Sequence, residues 1–201
     1  MEKQNTLAIY KYELFVLFLF SGFAVVSSIS LLMSELHYLQ DPSKALACDF
    51  NPLIGCSSSL TSWQAHLFFS IPNSVVGLCA FMVFLSLSGL MLCKIDLPKW
   101  VINTMYAGIN LALIWVFWFL WVSVFDFKKL CPFCLVIWFS VIIIWATMTG
   151  IVFRNGFISK SKSVNMILGS YRFYFAIIIV LCIVIFIIFG MLDTWIIVLD
   201  S

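Results

Sequence analysis

The sequence predicts an all-α integral membrane protein in which a bundle of four transmembrane helices is followed by a fifth. Two observations lead to this fold class. Hydrophobic residues make up 64% of the 201 positions and charged residues only 10%, whereas a soluble domain is about 45–50% apolar and about 25% charged. In addition, five apolar runs are each long enough for a helix to cross a hydrocarbon core, which takes about 20 residues.

The five runs contain no Asp, Glu, Lys or Arg. They are Leu14–Ser34, Leu67–Cys93, Trp100–Phe125, Cys131–Phe153 and Phe173–Leu192. The first run exceeds the 7–15 apolar residues usual in a signal peptide, so we predict an uncleaved anchor. The expected organisation is a four-helix domain over residues 1–153 with a long loop over 35–66, a second loop over 154–172, and a fifth helix with a short tail over 173–201.

The distribution of Lys and Arg predicts the orientation, because basic residues concentrate in cytoplasmic loops. With the N-terminus inside, eight of the eleven basic residues fall on the cytoplasmic side and three on the outer side. We therefore predict an N-in, C-out topology. The 35–66 loop and the short loop before Cys131 then share the outer face, where disulfides persist.

A Cys-x-x-Cys pair, Cys131 and Cys134, opens the fourth run. If Cys131 caps the helix, Pro132 takes its first position, where a missing N–H costs nothing. The positive end of the helix dipole then favours the thiolate of Cys131, the form that attacks disulfides. Cys134 lies one turn further in, nearer to lipid. This spacing predicts a redox pair at the membrane surface.

The long loop carries two more cysteines, Cys48 and Cys56, on either side of the turn formers Asn51-Pro52 and Gly55. These turn formers could bring the two cysteines together. The pair either staples the loop with a disulfide or exchanges electrons with the second pair through mixed disulfides. The segment 57–63 is predicted to form a short amphipathic helix on the membrane, which would hold Cys56 over the mouth of the bundle.

The second run contains a proline and an amide. Pro72 should distort the helix and free a carbonyl, and Asn73, about seven residues into the run, is expected about 10 Å deep. A polar side chain at that depth needs a partner. Asn73 therefore either links two helices or donates a hydrogen bond to the carbonyl of a lipid-soluble ligand.

Other polar and sulfur-containing residues are expected to be structural. Asn103 and Asn110 are expected to link helices. His37 and His66 are expected to be ordinary loop or interface residues. Cys79, Cys93 and Cys182 are expected to be buried, inert thiols.

Taken together, these residues resemble the vitamin K epoxide reductase family over about Leu14–Phe153. The matching pattern comprises Cys48-Asp49, Cys56-Ser57, Trp63, Pro72-Asn73-Ser74, Gly77 and Cys131-x-x-Cys134. The resemblance implies a four-helix bundle around a quinone, either ubiquinone or menaquinone, with the Cys-x-x-Cys pair at its outer end.

The resemblance also implies a role for each loop cysteine. Cys48 would exchange with an external thioredoxin-like protein, and Cys56 would pass the electrons to Cys131. Cys134 would face the quinone and reduce it. The resting pattern could be Cys48–Cys56 with Cys131–Cys134, or a bridge between Cys56 and Cys131.

Three further residues are expected at the quinone by the same resemblance. Ser57 would help to hold the site, and Asn73 would hydrogen-bond a quinone oxygen. Trp138 stands where vertebrate members have a Tyr, and it cannot offer a hydroxyl. Plain quinone reduction is therefore expected rather than epoxide reduction.

Many bacterial relatives carry a thioredoxin-like domain after a fifth helix, whereas here Asp193–Ser201 follows. We therefore expect the partner to be a separate DsbA-like protein, with no nucleic-acid partner. The expected location is a bacterial inner (cytoplasmic) membrane with the redox cysteines on the periplasmic face.

The preferred function is thus a membrane thiol oxidase that reoxidises the DsbA-like partner and passes electrons to a quinone, which supports disulfide formation. One alternative is a vitamin K quinone or epoxide reductase. A second is a metal-binding membrane protein, in which the four loop cysteines would form a tetrahedral thiolate site for zinc or copper. A third is a structural membrane protein with incidental cysteines.

Overall fold

The computed structural model describes residues 2–41, 46, 48–51, 53–60, 62–66, 71–158 and 161–193, and for residues 2–10 it describes the backbone alone. The helices are α1 (Glu2–Gln40), α2 (Ser57–Leu60), a 3₁₀ helix (Trp63–His66), α3 (Asn73–Leu92), α4 (Lys99–Val122), a π-helical turn (Ser123–Phe127), α5 (Pro132–Arg154), α6 (Lys162–Ser170) and α7 (Arg172–Gly190). Helix α6 lies within the segment that the sequence predicted as a loop.

Five helical segments are long and apolar enough to cross a membrane. They are Lys11–Gln40, Asn73–Leu92, Lys99–Phe127, Pro132–Arg154 and Arg172–Gly190. The chain is therefore a multi-pass, all-α integral membrane protein, and this prediction is confirmed.

Helix α5 lies at the centre of the molecule. It packs against α1 on one side and against α4, α6 and α7 elsewhere, while α1 also packs against α3. Ile144, Ala146, Thr147 and Val152 of α5 are fully buried. By contrast, few residues of α3 and α7 are buried inside the molecule, as expected for helices that face lipid.

Prolines mark the starts of three transmembrane helices. Pro72 and Pro98 directly precede α3 and α4, and Pro132 is the first residue of α5. These are positions where the fixed φ angle and the missing N–H of proline are tolerated.

The start of α3 corrects one prediction. Pro72 has an extended backbone (φ −55°, ψ 135°) and lies outside the helix, so it does not distort a helix interior. Asn73 is the first helical residue, and it is therefore not about 10 Å deep within a span. The predicted run was continuous in hydrophobicity, but the backbone leaves the helical conformation before the proline, as residues that precede proline tend to do. Residues 67–70 lie outside the described part of the chain.

At the end of the bundle where α5 finishes, three charged side chains form a cluster around the buried Glu13. Arg154 Nη1 donates a hydrogen bond to Glu13 Oε1 at 2.7 Å. Arg172 donates to the same oxygen and also to the Gly169 carbonyl. Glu13 and Arg172 are both buried, so this cluster ties α1, α5 and α7 together within low-dielectric surroundings.

Three predictions about minor residues can also be compared with the structure. Cys79, Cys93 and Cys182 are exposed on the helix surfaces rather than buried, so that expectation was wrong. Asn110 accepts a hydrogen bond from Trp145 Nε1 at 3.2 Å and so links α4 to α5, as predicted. Among the described residues, Asn103 Oδ1 has no hydrogen-bond partner.

Candidate redox site

The two cysteine pairs meet at one end of the bundle, where α1 ends and α3 and α5 begin; we call this the cysteine end. A short parallel bridge between Ile54 and Leu130 brings the loop there. Gly55 N–H donates to the Leu130 carbonyl at 3.1 Å, and Leu130 N–H donates to the Leu53 carbonyl at 2.8 Å. Because Cys56 and Cys131 directly follow the bridged segments, the bridge places one pair against the other.

Cys48 and Cys56 are joined by a disulfide. Between them, Asn51 Oδ1 accepts the backbone N–H groups of Leu53 and Ile54 at 2.9 and 2.7 Å, which closes the turn. The sequence predicted a turn at this asparagine; Pro52 lies outside the described residues.

Asp49 holds the second half of the loop. Its Oδ1 accepts the backbone N–H of Cys56 at 2.8 Å and that of Ser57 at 3.3 Å. Asp49 therefore satisfies backbone N–H groups at the start of α2. The contact requires Gly55, since a Cβ atom at residue 55 would collide with the Asp49 carboxylate. The short helix predicted after Cys56 is present as α2.

Cys131 is the N-cap of α5, with an extended backbone (φ −81°, ψ 122°), and Pro132 occupies the first helical position. Both features were predicted from the sequence and are confirmed. The Sγ of Cys131 lies 3.4 Å from the Sγ of Cys56. Cys131 and Cys134 are both thiols and both buried.

The surroundings of Cys131 lower its pKa below the ordinary value for a thiol. The largest cause is a hydrogen bond from the Cys134 side chain; burial opposes it, and the backbone N–H groups of Cys134 and Phe133 and the Ser59 side chain add to the lowering. The N–H groups belong to the first turn of α5, so the predicted effect of the helix N-terminus is present. Cys131 is thus the cysteine most suited to attack a disulfide.

Cys134 borders a small cavity of about 30 Å³. The cavity is lined by Leu31, Glu35, Ser59, Leu60, Ala65, Asn73, Ser74, Phe119 and Cys134. A cavity of this size holds about one water molecule. A ring-sized ligand therefore enters beside Cys134 only if the walls move apart.

Asn73 joins the cavity wall to the 3₁₀ helix. Its Nδ2 donates to the Gln64 carbonyl at 2.7 Å; the opposite amide orientation would place two acceptors in contact. Its Oδ1 is buried, and among the described residues it has no hydrogen-bond partner. A buried carbonyl without a donor is costly, so this oxygen is available to a ligand in the cavity.

A carboxylate also lines the cavity. Glu35, near the end of α1, is buried and accepts a hydrogen bond from Ser74 Oγ at 3.2 Å. Its other oxygen lies 2.9 Å from Nε2 of His66, which belongs to the 3₁₀ helix. The pair therefore connects the cavity to the loop that covers it.

The sequence model of the vitamin K epoxide reductase family matches residues 15–149, which include both cysteine pairs and the cavity. The chain belongs to the vitamin K epoxide reductase family. It is accordingly a membrane oxidoreductase, and members of this family in general use quinones. The comparisons with curated proteins and with solved structures found no match.

Of the residues predicted for the quinone site of this family member, Asn73 lines the cavity of Cys134. Ser57 directly follows Cys56 at the start of α2, where its backbone N–H donates to Asp49, and it is not among the residues that line the cavity. Trp138 is one turn beyond Cys134 on α5, buried in the helix core, and is not among the residues that line the cavity. The structure thus gathers the four cysteines, Ser57 and Asn73, and leaves Trp138 in the packing behind them.

Sequence reasoning missed Glu35 and misjudged His66. His66 was expected to be an ordinary loop or interface residue, but it pairs with a buried carboxylate. The available signal was weak: Glu35 is the first charged residue after the first apolar run, and His66 precedes the second run on the same predicted face. A carboxylate at the end of an apolar span needs a partner, and this directs attention to the two histidines on the same predicted face, His37 and His66, without deciding between them.

Proposed function

We propose that this protein is a thiol:quinone oxidoreductase that reoxidises a separate DsbA-like protein and delivers two electrons to ubiquinone or menaquinone. The observation that carries the proposal is the 3.4 Å distance between Cys131 Sγ and Cys56 Sγ. Cys56 belongs to a loop disulfide, and Cys131 belongs to a dithiol whose second member borders a buried cavity. Electrons can therefore pass from a surface loop to the helix bundle by direct exchange between sulfurs.

The proposed path begins when the dithiol of the partner reduces the Cys48–Cys56 disulfide and leaves as a disulfide. The Cys56 thiolate then attacks Cys131 of a Cys131–Cys134 disulfide and releases the Cys134 thiolate. Cys48 next attacks Cys56, which re-forms the loop disulfide and releases Cys131. The closed loop disulfide beside two free thiols corresponds to the stage just before quinone reduction, a combination that neither expected resting pattern included.

In the last step, the Cys131–Cys134 dithiol closes to a disulfide, and its two electrons reduce the quinone to a quinol. Asn73 would bind both substrate and product: one N–H of its Nδ2 donates to the Gln64 carbonyl, and the second would donate to a quinone oxygen. Its free Oδ1 is an acceptor and would take the O–H of a quinol. The small cavity implies that the loop over it moves outward when the quinone enters.

The partner also requires loop movement. Cys48 is buried, with 2% of its surface exposed, so a thiolate of another protein reaches it only after the loop opens. Of the loop's anchoring contacts, the Ile54–Leu130 bridge adjoins Cys56 and Cys131, and the Asn73–Gln64 hydrogen bond adjoins the cavity that Cys134 lines. Opening would therefore expose Cys48 and widen the cavity together.

We further propose that the cysteine end faces the periplasm of a bacterial inner membrane, with the N-terminus in the cytoplasm. Support comes from the eight-to-three division of basic residues in the sequence.

The metal-site alternative is not proposed, because the loop disulfide takes two of the four thiolates that it needs. The epoxide reductase alternative is not proposed either, because Trp138 has no hydroxyl at the position where vertebrate members have a Tyr.

The test is oxidation of a reduced DsbA-like protein by the purified protein, with and without ubiquinone-1 or menadione. We expect oxidation that depends on quinone and is lost in Cys134→Ala. Cys79→Ala is the matched control, since Cys79 is an exposed thiol on α3, and it should retain the activity. Oxidation that persists in Cys134→Ala, or that does not respond to either quinone, would overturn the proposal.

A further inference from the structure

We propose that Glu35 and His66 deliver a proton from the surface at the cysteine end to the quinone reduced beside Cys134. This inference rests on the proposed function, since it concerns the same cavity and the same reaction. Glu35 would be the direct donor to the quinone oxygen, and His66 would recharge it. Three observations support these roles.

The first observation is the position of the carboxylate. Glu35 and Cys134 line the same cavity, so a quinone in contact with the Cys134 sulfur would also lie next to the Glu35 carboxyl group. The Glu35 side chain is 6% exposed. A carboxyl group placed within reach of the reacting oxygen can act as a general acid.

The second observation is the connection to the surface. The His66 side chain is 33% exposed and its Nε2 lies 2.9 Å from Glu35 Oε1. Histidine exchanges protons readily near neutral pH. The pair therefore leads from the surface to the cavity through one short contact.

The third observation is the proton balance. Quinol formation takes two electrons and two protons. When Cys131 is in the thiolate form, which the hydrogen bond from Cys134 and the first-turn N–H groups of α5 favour, the dithiol carries two electrons and only the one proton on Cys134. Closure of the Cys131–Cys134 disulfide then leaves the quinone one proton short. Glu35 would supply that proton, and water would replace it through His66.

The groups around Glu35 come from several elements, and few of them titrate. His66 of the 3₁₀ helix and Ser74 of α3 contact the carboxyl group, and Cys134 of α5 lines the same cavity. The exposed His37 lies two residues further along α1, and Asp126 of the π-helical turn contacts Gln64, two residues before His66. Within the described residues, Glu35 is the one carboxyl group among the residues that line the cavity.

The pair could instead be a structural clamp between α1 and the loop, and the experiment separates these roles. The protein is reduced, freed of excess reductant, and mixed with ubiquinone-1 or menadione in a single turnover. Quinol formation is followed by absorbance. Disulfide exchange with a reduced DsbA-like protein is measured separately in the absence of quinone.

We expect Glu35→Gln to slow quinol formation by about 100-fold, the lower end of what a general acid contributes, while the exchange rate stays within about twofold. His66→Gln should slow quinol formation less, and added imidazole should restore part of the rate in His66→Ala. The apparent KM for quinone should stay unchanged in Glu35→Gln. The matched controls are Asp126→Asn and His37→Gln, an acid and a histidine near the same end that do not line the cavity, and both should react at the parental rate.

Equal loss of exchange and of quinol formation in Glu35→Gln would show a structural clamp and overturn the inference. An unchanged rate of quinol formation in Glu35→Gln would overturn it as well. Failure of the parental protein to reduce either quinone would instead refute the proposed function, so the two failures can be distinguished.

Discussion

Ile54 pairs with Leu130 in a parallel bridge, and this pairing holds the loop disulfide against the first turn of α5. The two segments are far apart in sequence and belong to different loops. Backbone hydrogen bonds on both sides of the bridge fix their relative register, so Cys56 and Cys131 meet without relying on side-chain packing alone. A register that depends on two hydrogen bonds can also be released, which the proposed exchange with a partner protein requires.

Gly55→Ala should weaken this register. A Cβ atom at residue 55 would collide with the Asp49 carboxylate, which holds the N–H groups of Cys56 and Ser57. We expect slower exchange between the two cysteine pairs and less trapped Cys56–Cys131 disulfide in a Cys134→Ala background, measured by acid quenching and gel shift. Gly108→Ala is the control, since a Cβ there meets nothing within 4 Å. Equal trapping in the two variants would show that the contact at Gly55 does not set the rate.

Cys134→Ala should raise the pKa of Cys131. The hydrogen bond from the Cys134 side chain is the largest cause of the lowered pKa, and the N–H groups of the first turn remain in the variant. A lowered pKa means that the thiolate persists as the pH falls below the ordinary thiol value, so its loss in the variant should begin at higher pH. The measurement is the rate of reaction with methyl methanethiosulfonate against pH, in a background without Cys79, Cys93 and Cys182. Coincident profiles would contradict this assignment.

The parts of the site that could be predicted from the sequence are those that depend on a few neighbouring residues. Cys131 caps α5 and Pro132 begins it, because the dihedral and hydrogen-bond preferences of proline act within one turn. The helix was predicted to include Ile71 and Pro72, which lie before the start of α3, since hydrophobicity continues through them. Apolar composition reports burial in lipid and does not report where a helix begins.

The contacts that were missed join distant segments. Glu35 meets His66 31 residues later, and Glu13 meets Arg172 159 residues later. In the sequence, Glu13 and Glu35 are each a single charged residue beside an apolar run, and such residues usually lie in solvent. Only the packing of α1 against its neighbours decides that both carboxylates are buried.

Glu13→Ala should destabilise the protein by about 3–5 kcal/mol, the usual cost of removing one partner of a buried ion pair. The variant leaves the buried Arg172 without its carboxylate. Arg172→Met should cost less, because Glu13 keeps its 2.7 Å contact with Arg154. The measurement is unfolding in mixed detergent micelles followed by Trp fluorescence, and the control is Asp96→Ala, which removes an exposed acid in the α3–α4 loop. A smaller effect for Glu13→Ala than for Arg172→Met would contradict the role of Glu13 as the shared acceptor.

Gly150→Ala should loosen the same cluster without changing any charge. A Cβ atom at residue 150 would lie 2.5 Å from Cζ of Arg172, so the guanidinium group would have to move away from Glu13. We expect a loss of stability in the same unfolding assay and a weaker attachment of α7, detected as faster proteolysis in the segment between α5 and α7. If Gly150→Ala in an Arg172→Met background costs as much as it does alone, the collision with Arg172 is not the cause.

Asn73→Ala should impair the quinone step and spare the disulfide exchange between the two pairs. The variant removes the whole amide from the cavity of Cys134, both the N–H that would donate to the quinone and the free Oδ1 that would accept from the quinol. The loss of one hydrogen bond of about 1 kcal/mol corresponds to about a fivefold rise in the apparent KM for quinone. It also removes the 2.7 Å contact with the Gln64 carbonyl, so the loop over the cavity should open more often and Cys48 should react faster with the partner. Asn103→Ala is the control, because that amide oxygen also lacks a partner among the described residues but does not line the cavity. If quinone affinity is unchanged while the reactivity of Cys48 increases, Asn73 acts on the loop alone, and the quinone binds beside Cys134 without contacting Asn73.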